Sequence, residues 1–285
     1  MTRTVLNSRK ITQRTAFTFL GLATVITVTP VLFIIIYTIT KGAGAITWDF
    51  LIQFPSQAGR EGGILPAIIG TFYLMIGTLV FALPIGVLAG IYLTEYARDN
   101  WLTRLINLAI VNLAGVPSIV FGLFGLSVFV LTFHFGLSLL AASLTLAAQA
   151  LAMVITTSRE AILAVPREFR EGSLAIGVTK WQTVRHIVLP QAMPGIITGA
   201  VLAISRAAGE TAPILVVGAA FLLPKLPQSP LDQFMALPYY LYTVATQVPN
   251  MPEGTIWGIA LVLLIVVLSF DVLAAAIRIK TRQRK

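Results

Sequence analysis

The sequence predicts an all-α, polytopic membrane protein with six transmembrane helices and both termini in the cytoplasm. Three observations carry that prediction. The 285 residues are 57% hydrophobic and only 11% charged, whereas a soluble domain carries about 25% charged residues. Six apolar stretches reach the roughly 20 residues that a helix needs to cross a bilayer. Lys and Arg fall 16 to one side of those stretches and 3 to the other, and such a bias sets orientation.

The stretches cover about 17–39, 64–93, 105–133, 136–157, 195–223 and 255–277. The first is longer than the roughly 7–15 apolar residues of a signal peptide, so it reads as an uncleaved anchor. The cationic side holds residues 3–14, 98–104, 159–185 and 278–285; the other side holds Lys41, Arg60 and Lys225, and Arg206 falls inside a span. This placement accounts for the net charge of +9 with the lipid bilayer as partner and no nucleic acid. Cationic flanks favour an anionic leaflet. The chain has no cysteine, which excludes disulfides and thiolate metal sites. His134 and His186 stand apart from any ligand cluster, so no metal site is expected. The organisation expected is an N-terminal tail, first span and outer loop over 1–63, a transmembrane domain over 64–280, and a basic tail over 281–285.

The second outer loop, about 224–254, carries six prolines and is expected to be extended or kinked. Its "LPYYLY" at 237–242 reads either as an interfacial anchor, since tyrosines favour that level, or as a contact for an outside partner. In the second span Pro84 is a potential kink, and Gly86 and Gly90 form a GxxxG face for close helix packing. In the third, "AGVPSIVFGLFGL" (114–126) places Pro117 and Ser118 among helix-weakening glycines. A broken helix at this depth survives only where protein or a water-filled cavity covers it. A gate or simple packing both fit.

The fifth span holds the strongest chemistry, in "GIITGAVLAISRAAGETAPILVV" (195–217). Gly195 and Gly199 repeat the GxxxG pattern. Arg206 and Glu210 sit near mid-span, where each charge costs about 2.5–3.5 kcal/mol to insert. A separation of four residues puts both on one helix face, and Pro213 is expected to bend the helix beside them. Two readings fit: a neutralising structural pair, or an anion path lined by Arg206 and tuned by Glu210. Arg suits oxyanions because its planar fork donates bidentately. Asp271, near the end of the last span, reads as structural.

The polar loop 158–194 reads as two short helices. Pro166 suits a first helical position, Glu168 and Glu171 suit the early turns, and Gly177 suits the C-terminal stop. Thr179 and Gln182 then form a T-x-x-Q capping box. Trp181, Val184 and Val188 give the second helix an apolar stripe. Pro190 is expected to stop it and Pro194 to open the next span.

This loop resembles the EAA motif of bacterial ABC importer permeases, EAA-x3-G-x9-I-x-L-P. Glu171, Gly172 and Ser173 take the EAA positions, Gly177 follows at the required spacing, and Ile187, Leu189 and Pro190 complete the motif. Gly172 and Ser173 replace two alanines with other small residues. "SRAAGETAP" (205–213) and "GVPSIVFGLFG" (115–125) are further similar to the permease subunits of phosphate ABC importers, the PstA group. The resemblance implies that 64–280 is an ABC permease domain in a bacterial inner membrane. It implies a non-catalytic chain that works with a second, PstC-like permease, two PstB-like ATPase subunits and an external PstS-like phosphate-binding protein. ATP and Mg would sit on the ATPase, docked against residues 166–190, and no cofactor on this chain. The chain itself carries no G-x4-G-K-[ST] phosphate loop. The resemblance assigns phosphate passage to Arg206 and Glu210. A permease for sulfate or molybdate, an ion-coupled secondary transporter, and a membrane scaffold are the competing classes.

Overall fold

The computed structural model describes residues 2–282, so residues 283–285 of the expected basic tail lie outside the described residues. The structure is helical, apart from a two-stranded antiparallel ribbon of β1 (Pro55–Ser56) and β2 (Glu61–Gly62). Helix α1 (Thr2–Gly42) contains the first span, and α2 (Trp48–Ile52) lies in the loop after it. Helix α3 (Leu65–Ile91) continues through Pro84 and ends in a π-turn at Tyr92–Tyr96. Helices α4 (Trp101–Ala114), α5 (Ser118–Gly125) and α6 (Leu139–Leu163) follow. Helices α7 (Arg167–Ala175) and α8 (Lys180–Thr183) form the polar loop. Then come α9 (Leu189–Gly209), α10 (Ala212–Leu215), α11 (Leu237–Thr246) and α12 (Glu253–Arg282).

Helix α6 is the axis of the bundle, with α3 and α9 packed along it and α12 behind α9. Glycines set these approaches. A Cβ at Gly86 or Gly90 would strike Val154 or Ser158 of α6, and one at Gly195 or Gly199 would strike Ala161 or Thr157. Both GxxxG faces therefore clasp one helix from two sides, which lets backbones meet where lipid offers no hydrophobic drive. Replacing Gly199 by Val is expected to overpack the α6–α9 seam by about 1–3 kcal/mol. A thermal unfolding scan of the purified protein would register this as a lower midpoint, and an unchanged midpoint would contradict the clasp.

Helix α1 is exposed along most of its described length and meets α12 near its end, where Tyr37 packs edge-on against Trp257 at 5.0 Å. The third expected span is a bent pair: α4 and the run Ser118–Thr132 meet at 106°. Gly115 ends α4, and Pro117 enters the N-cap of α5 in an extended conformation. Proline disfavours the α-region for the residue before it, so Val116 cannot carry the helix through. In the first turn of α4, Arg104 makes two 2.9 Å bonds back to Asp99 and holds that carboxyl below its usual range.

The fifth span differs from expectation at both ends. Pro190 does not stop the second loop helix; Lys180–Gly209 is one 30-residue run. In a regular α-turn the Pro190 ring would collide with the carbonyl of residue 186. The chain instead widens to a π-turn over Val184–Val188, with the Leu189 N–H donating to the Val184 carbonyl. At the other end the helix stops at Gly209, well short of residue 223, and Glu210 is extended. Pro213 therefore marks a break in the span and not a bend.

The second outer loop is also more ordered than its prolines imply. It folds back as α11, and the Leu237 N–H donates to Thr71 Oγ1 of α3 at 2.9 Å. The Leu139 and Leu140 N–H groups donate to the carbonyls of Asp232 and Pro230, capping α6. Tyr240 is 1% exposed and stacks on Phe221, so it belongs to a packed cluster and not to an interfacial belt.

Candidate functional site

Arg206 and Glu210 lie level with the middle of α6, because Gln149 of that helix donates from Nε2 to Glu210 Oε1 at 2.6 Å. Arg206 Nε reaches the same Glu210 oxygen only at 3.4 Å. Glu210 lies past the helix end, yet the four-residue separation still brings the pair together. The two members differ in setting: the Arg206 side chain is 60% exposed and that of Glu210 only 16%. Glu210 is thus held by α6, and the fork of Arg206 projects into open space.

That space is a cleft of about 380 Å³ bounded by Arg206, the α6 face from Gln149 to Glu160, and the corner between α4 and α5. Ala114, Val116 and Phe121 of the corner line it together with Arg206. The break at Pro117 therefore has a definite result: it turns the chain aside and leaves a recess. The break at Pro213 meets it, since a Cβ on Gly122 of α5 would lie 2.9 Å from Pro213 Cα. Pro117, Ser118 and Pro213 thus belong to two interrupted spans that pack together beside the cleft, as broken helices in a membrane require.

The polar loop forms a hairpin. Helix α7 runs Arg167–Ala175 after Pro166, and Gly177 turns the chain at φ +84°. The Thr179–Gln182 capping box opens α8. Of the motif's two small residues, Ser173 is buried and bonds Thr183 of α8 at 2.9 Å, while a Cβ on Gly172 would meet nothing within 4 Å. Val184 and Val188 are buried as expected, but Trp181 is exposed, together with Phe169, Leu174 and Ile176. Ile187 lies in the π-turn, and Leu189 and Pro190 begin α9.

Glycine 177 and Gly172 therefore respond differently to substitution. At positive φ a side chain costs about 1–2 kcal/mol, so Gly177→Ala is expected to loosen the hairpin. Gly172→Ala gains about 1 kcal/mol of helix propensity and is expected to be neutral or stabilising. Hydrogen exchange of the hairpin amides would separate the two, and equal protection in both variants would contradict this reading.

A cation that sequence reasoning passed over ties the hairpin down. Arg170 bonds Glu95 at 2.9 Å and donates to the carbonyls of Ile162 and Val165 at 2.8 and 2.7 Å. One side chain thus joins α7, the end of α6 and the π-turn after α3. Beside it, Glu171, Arg167, Lys180, Thr94 and Glu95 line an open cleft of about 320 Å³. Gln149 was missed as well. Its signal was a polar residue in an alanine-rich run, "LTLAAQALAM", at the depth of an unpaired charge. The signal for Arg170 was weaker, one Arg among several on a cationic flank.

Residues 82–283 match the family described as binding-protein-dependent transport system inner membrane component. The phosphate transport system permease protein PstA 1 of Mycobacterium tuberculosis is 36% identical over 97% of this chain and 91% of its own length. The probable ABC transporter permease protein YqgI of Bacillus subtilis is 34% identical over 94% and 95%. The fold is also that of the inward-facing MetNI methionine ABC transporter, with a TM-score of 0.59 at 20% identity, covering 75% of this chain and 97% of that one. The helical bundle packed around α6 agrees with these matches, and the chain belongs to the binding-protein-dependent transport system inner membrane component family, as a multi-pass protein of the bacterial inner membrane.

Proposed function

We propose that this chain is a permease subunit of an ATP-driven importer of inorganic phosphate. The observation that carries the reading is likeness along nearly the whole chain to proteins named for phosphate transport. Arg206 supports the route. Its fork stands beside a cleft at mid-depth, free of all but one long contact, and offers positive charge where an anion would otherwise face hydrocarbon. Binding there must remain weak enough for release.

The chain works without catalysis of its own. A partner ATPase in the cytoplasm holds ATP and Mg and receives the α7–α8 hairpin, whose exposed Phe169, Ile176 and Trp181 suit an apolar groove. The EAA positions Glu171, Gly172, Ser173 and Gly177 shape that handle, and Ile187, Leu189 and Pro190 pass it into α9. A second permease completes the path, and an external binding protein delivers phosphate to the other face.

Reconstitution of the chain with these partners in proteoliposomes tests the reading. ATP-dependent accumulation of phosphate is expected. Uptake that proceeds equally without ATP would refute the ABC mechanism, and accumulation of sulfate or molybdate in its place would refute the substrate.

A further inference from the structure

The polar groups of the Arg206 cleft are nearly all of one kind. Gln149 spends one of its two Nε2 protons on Glu210 at 2.6 Å, and its Oε1 is buried with no protein partner. The Thr156 hydroxyl donates to the Ala152 carbonyl at 2.8 Å and the Thr157 hydroxyl to the Met153 carbonyl at 2.9 Å. Each hydroxyl has spent its only proton and has lone pairs left. Glu160, further along the same α6 face, adds a carboxyl group, and the remaining lining side chains are apolar. Among the described lining residues, the side-chain donors to spare are the Arg206 fork and the second Nε2 proton of Gln149.

An anion in this cleft meets a single cationic fork and a row of acceptors. Tetrahedral oxyanions respond differently to such a wall. Phosphate near neutral pH carries one or two P–OH groups, which can donate to the acceptors while the remaining oxygens take the Arg206 fork. Sulfate is fully deprotonated, so each of its oxygens presents lone pairs to lone pairs. A site built around a substrate hydroxyl rejects an analogue that lacks it, because the site's own polar groups stay unpaired.

We propose that the cleft selects oxyanions that bring their own protons, with Thr156 and Thr157 as the specificity-determining acceptors beside Arg206. This inference rests on the phosphate reading and deepens it. It places discrimination against sulfate within the membrane path, separate from any discrimination made outside it.

The test uses the assembled complex in amphipol, with its ATPases and second permease but without the external binding protein. The probe is the ³¹P linewidth of inorganic phosphate. Broadening is expected, and arsenate, which is protonated like phosphate, should reverse it at a concentration about tenfold or more below that of sulfate. Thr156→Val and Thr157→Val each remove one acceptor and keep the side-chain shape. Each is expected to narrow the arsenate–sulfate gap in a complex that still co-purifies. Equal competition by sulfate and arsenate in the wild type overturns the inference, as does an unchanged gap in both assembled variants. Absence of broadening in a complex that transports phosphate also overturns it, while leaving the proposed function intact. A wild-type complex that takes up no phosphate defeats the proposed function first, and the inference with it.

Discussion

Alanine at position 206 is expected to lower ATP-driven phosphate uptake roughly 10- to 150-fold while the protein still inserts and assembles. The magnitude follows from the charge-assisted bonds that a guanidinium makes to an anion, worth about 1.5–3 kcal/mol net, at about 1.4 kcal/mol per decade. The separation of transport from folding follows from the geometry. Arg206 is 60% exposed and its bond to Glu210 is 3.4 Å long, and exposed pairs of this kind contribute about 0–1 kcal/mol. Glu210 keeps its closer partner, Gln149, so losing Arg206 does not strand a buried carboxylate. Arg206→Lys retains the charge and loses the planar fork, and should fall between the wild type and alanine. Uptake at wild-type rate in the alanine variant would remove Arg206 from the path. Loss of the protein from the membrane would instead return the pair to a structural role.

Alanine at position 170 is expected to have the opposite profile, with the cleft preserved and transport uncoupled. The Arg170 and Glu95 side chains are 19% and 9% exposed. Breaking a buried pair by removing one partner costs about 3–5 kcal/mol, and residual exposure places this pair toward the low end. The carbonyls of Ile162 and Val165 lose the Arg170 donor in the same change. Helix α7 should then swing on Gly177 without carrying α6 and α3 with it. Reconstituted complexes are expected to hydrolyse ATP with several-fold less phosphate moved per ATP. Lysine cannot reproduce a fork that serves three acceptors and should rescue little. A phosphate-to-ATP ratio equal to the wild type would show that the staple is dispensable.

The span count, the hairpin and its caps were legible because they rest on local rules. Apolar run length marks a membrane helix. Pro166, Gly177 and the Thr179–Gln182 box each act within a few residues; Gly177 and the box appear where expected, while Pro166 is the N-cap of α7, one place before the first helical position expected for it. The GxxxG pairs were legible for the same reason, although their shared partner, α6, was not. The errors came from nonlocal compensation. Pro190 stops a helix only if no wider turn absorbs its ring, and the π-turn at Val184–Val188 does so. Six prolines suggested an irregular outer loop, but contacts to α3 and α6 order it. Arg206 and Glu210 stood out as charges in an apolar run, whereas Gln149 gains its meaning only from Glu210, 61 residues away.

The uninterrupted run from Lys180 to Gly209 makes the hairpin and Arg206 two ends of one lever. The 26 residue steps from Lys180 to Arg206 span about 39 Å at 1.5 Å per residue. A tilt of about 5° at one end then shifts the other by roughly 3 Å, comparable to a hydrogen-bond length. A stroke that small suffices to make or break a contact between Arg206 and an ion. Timing of release would then need no relay of separate side-chain switches: the α8 end and the Arg206 charge would move as one solid part.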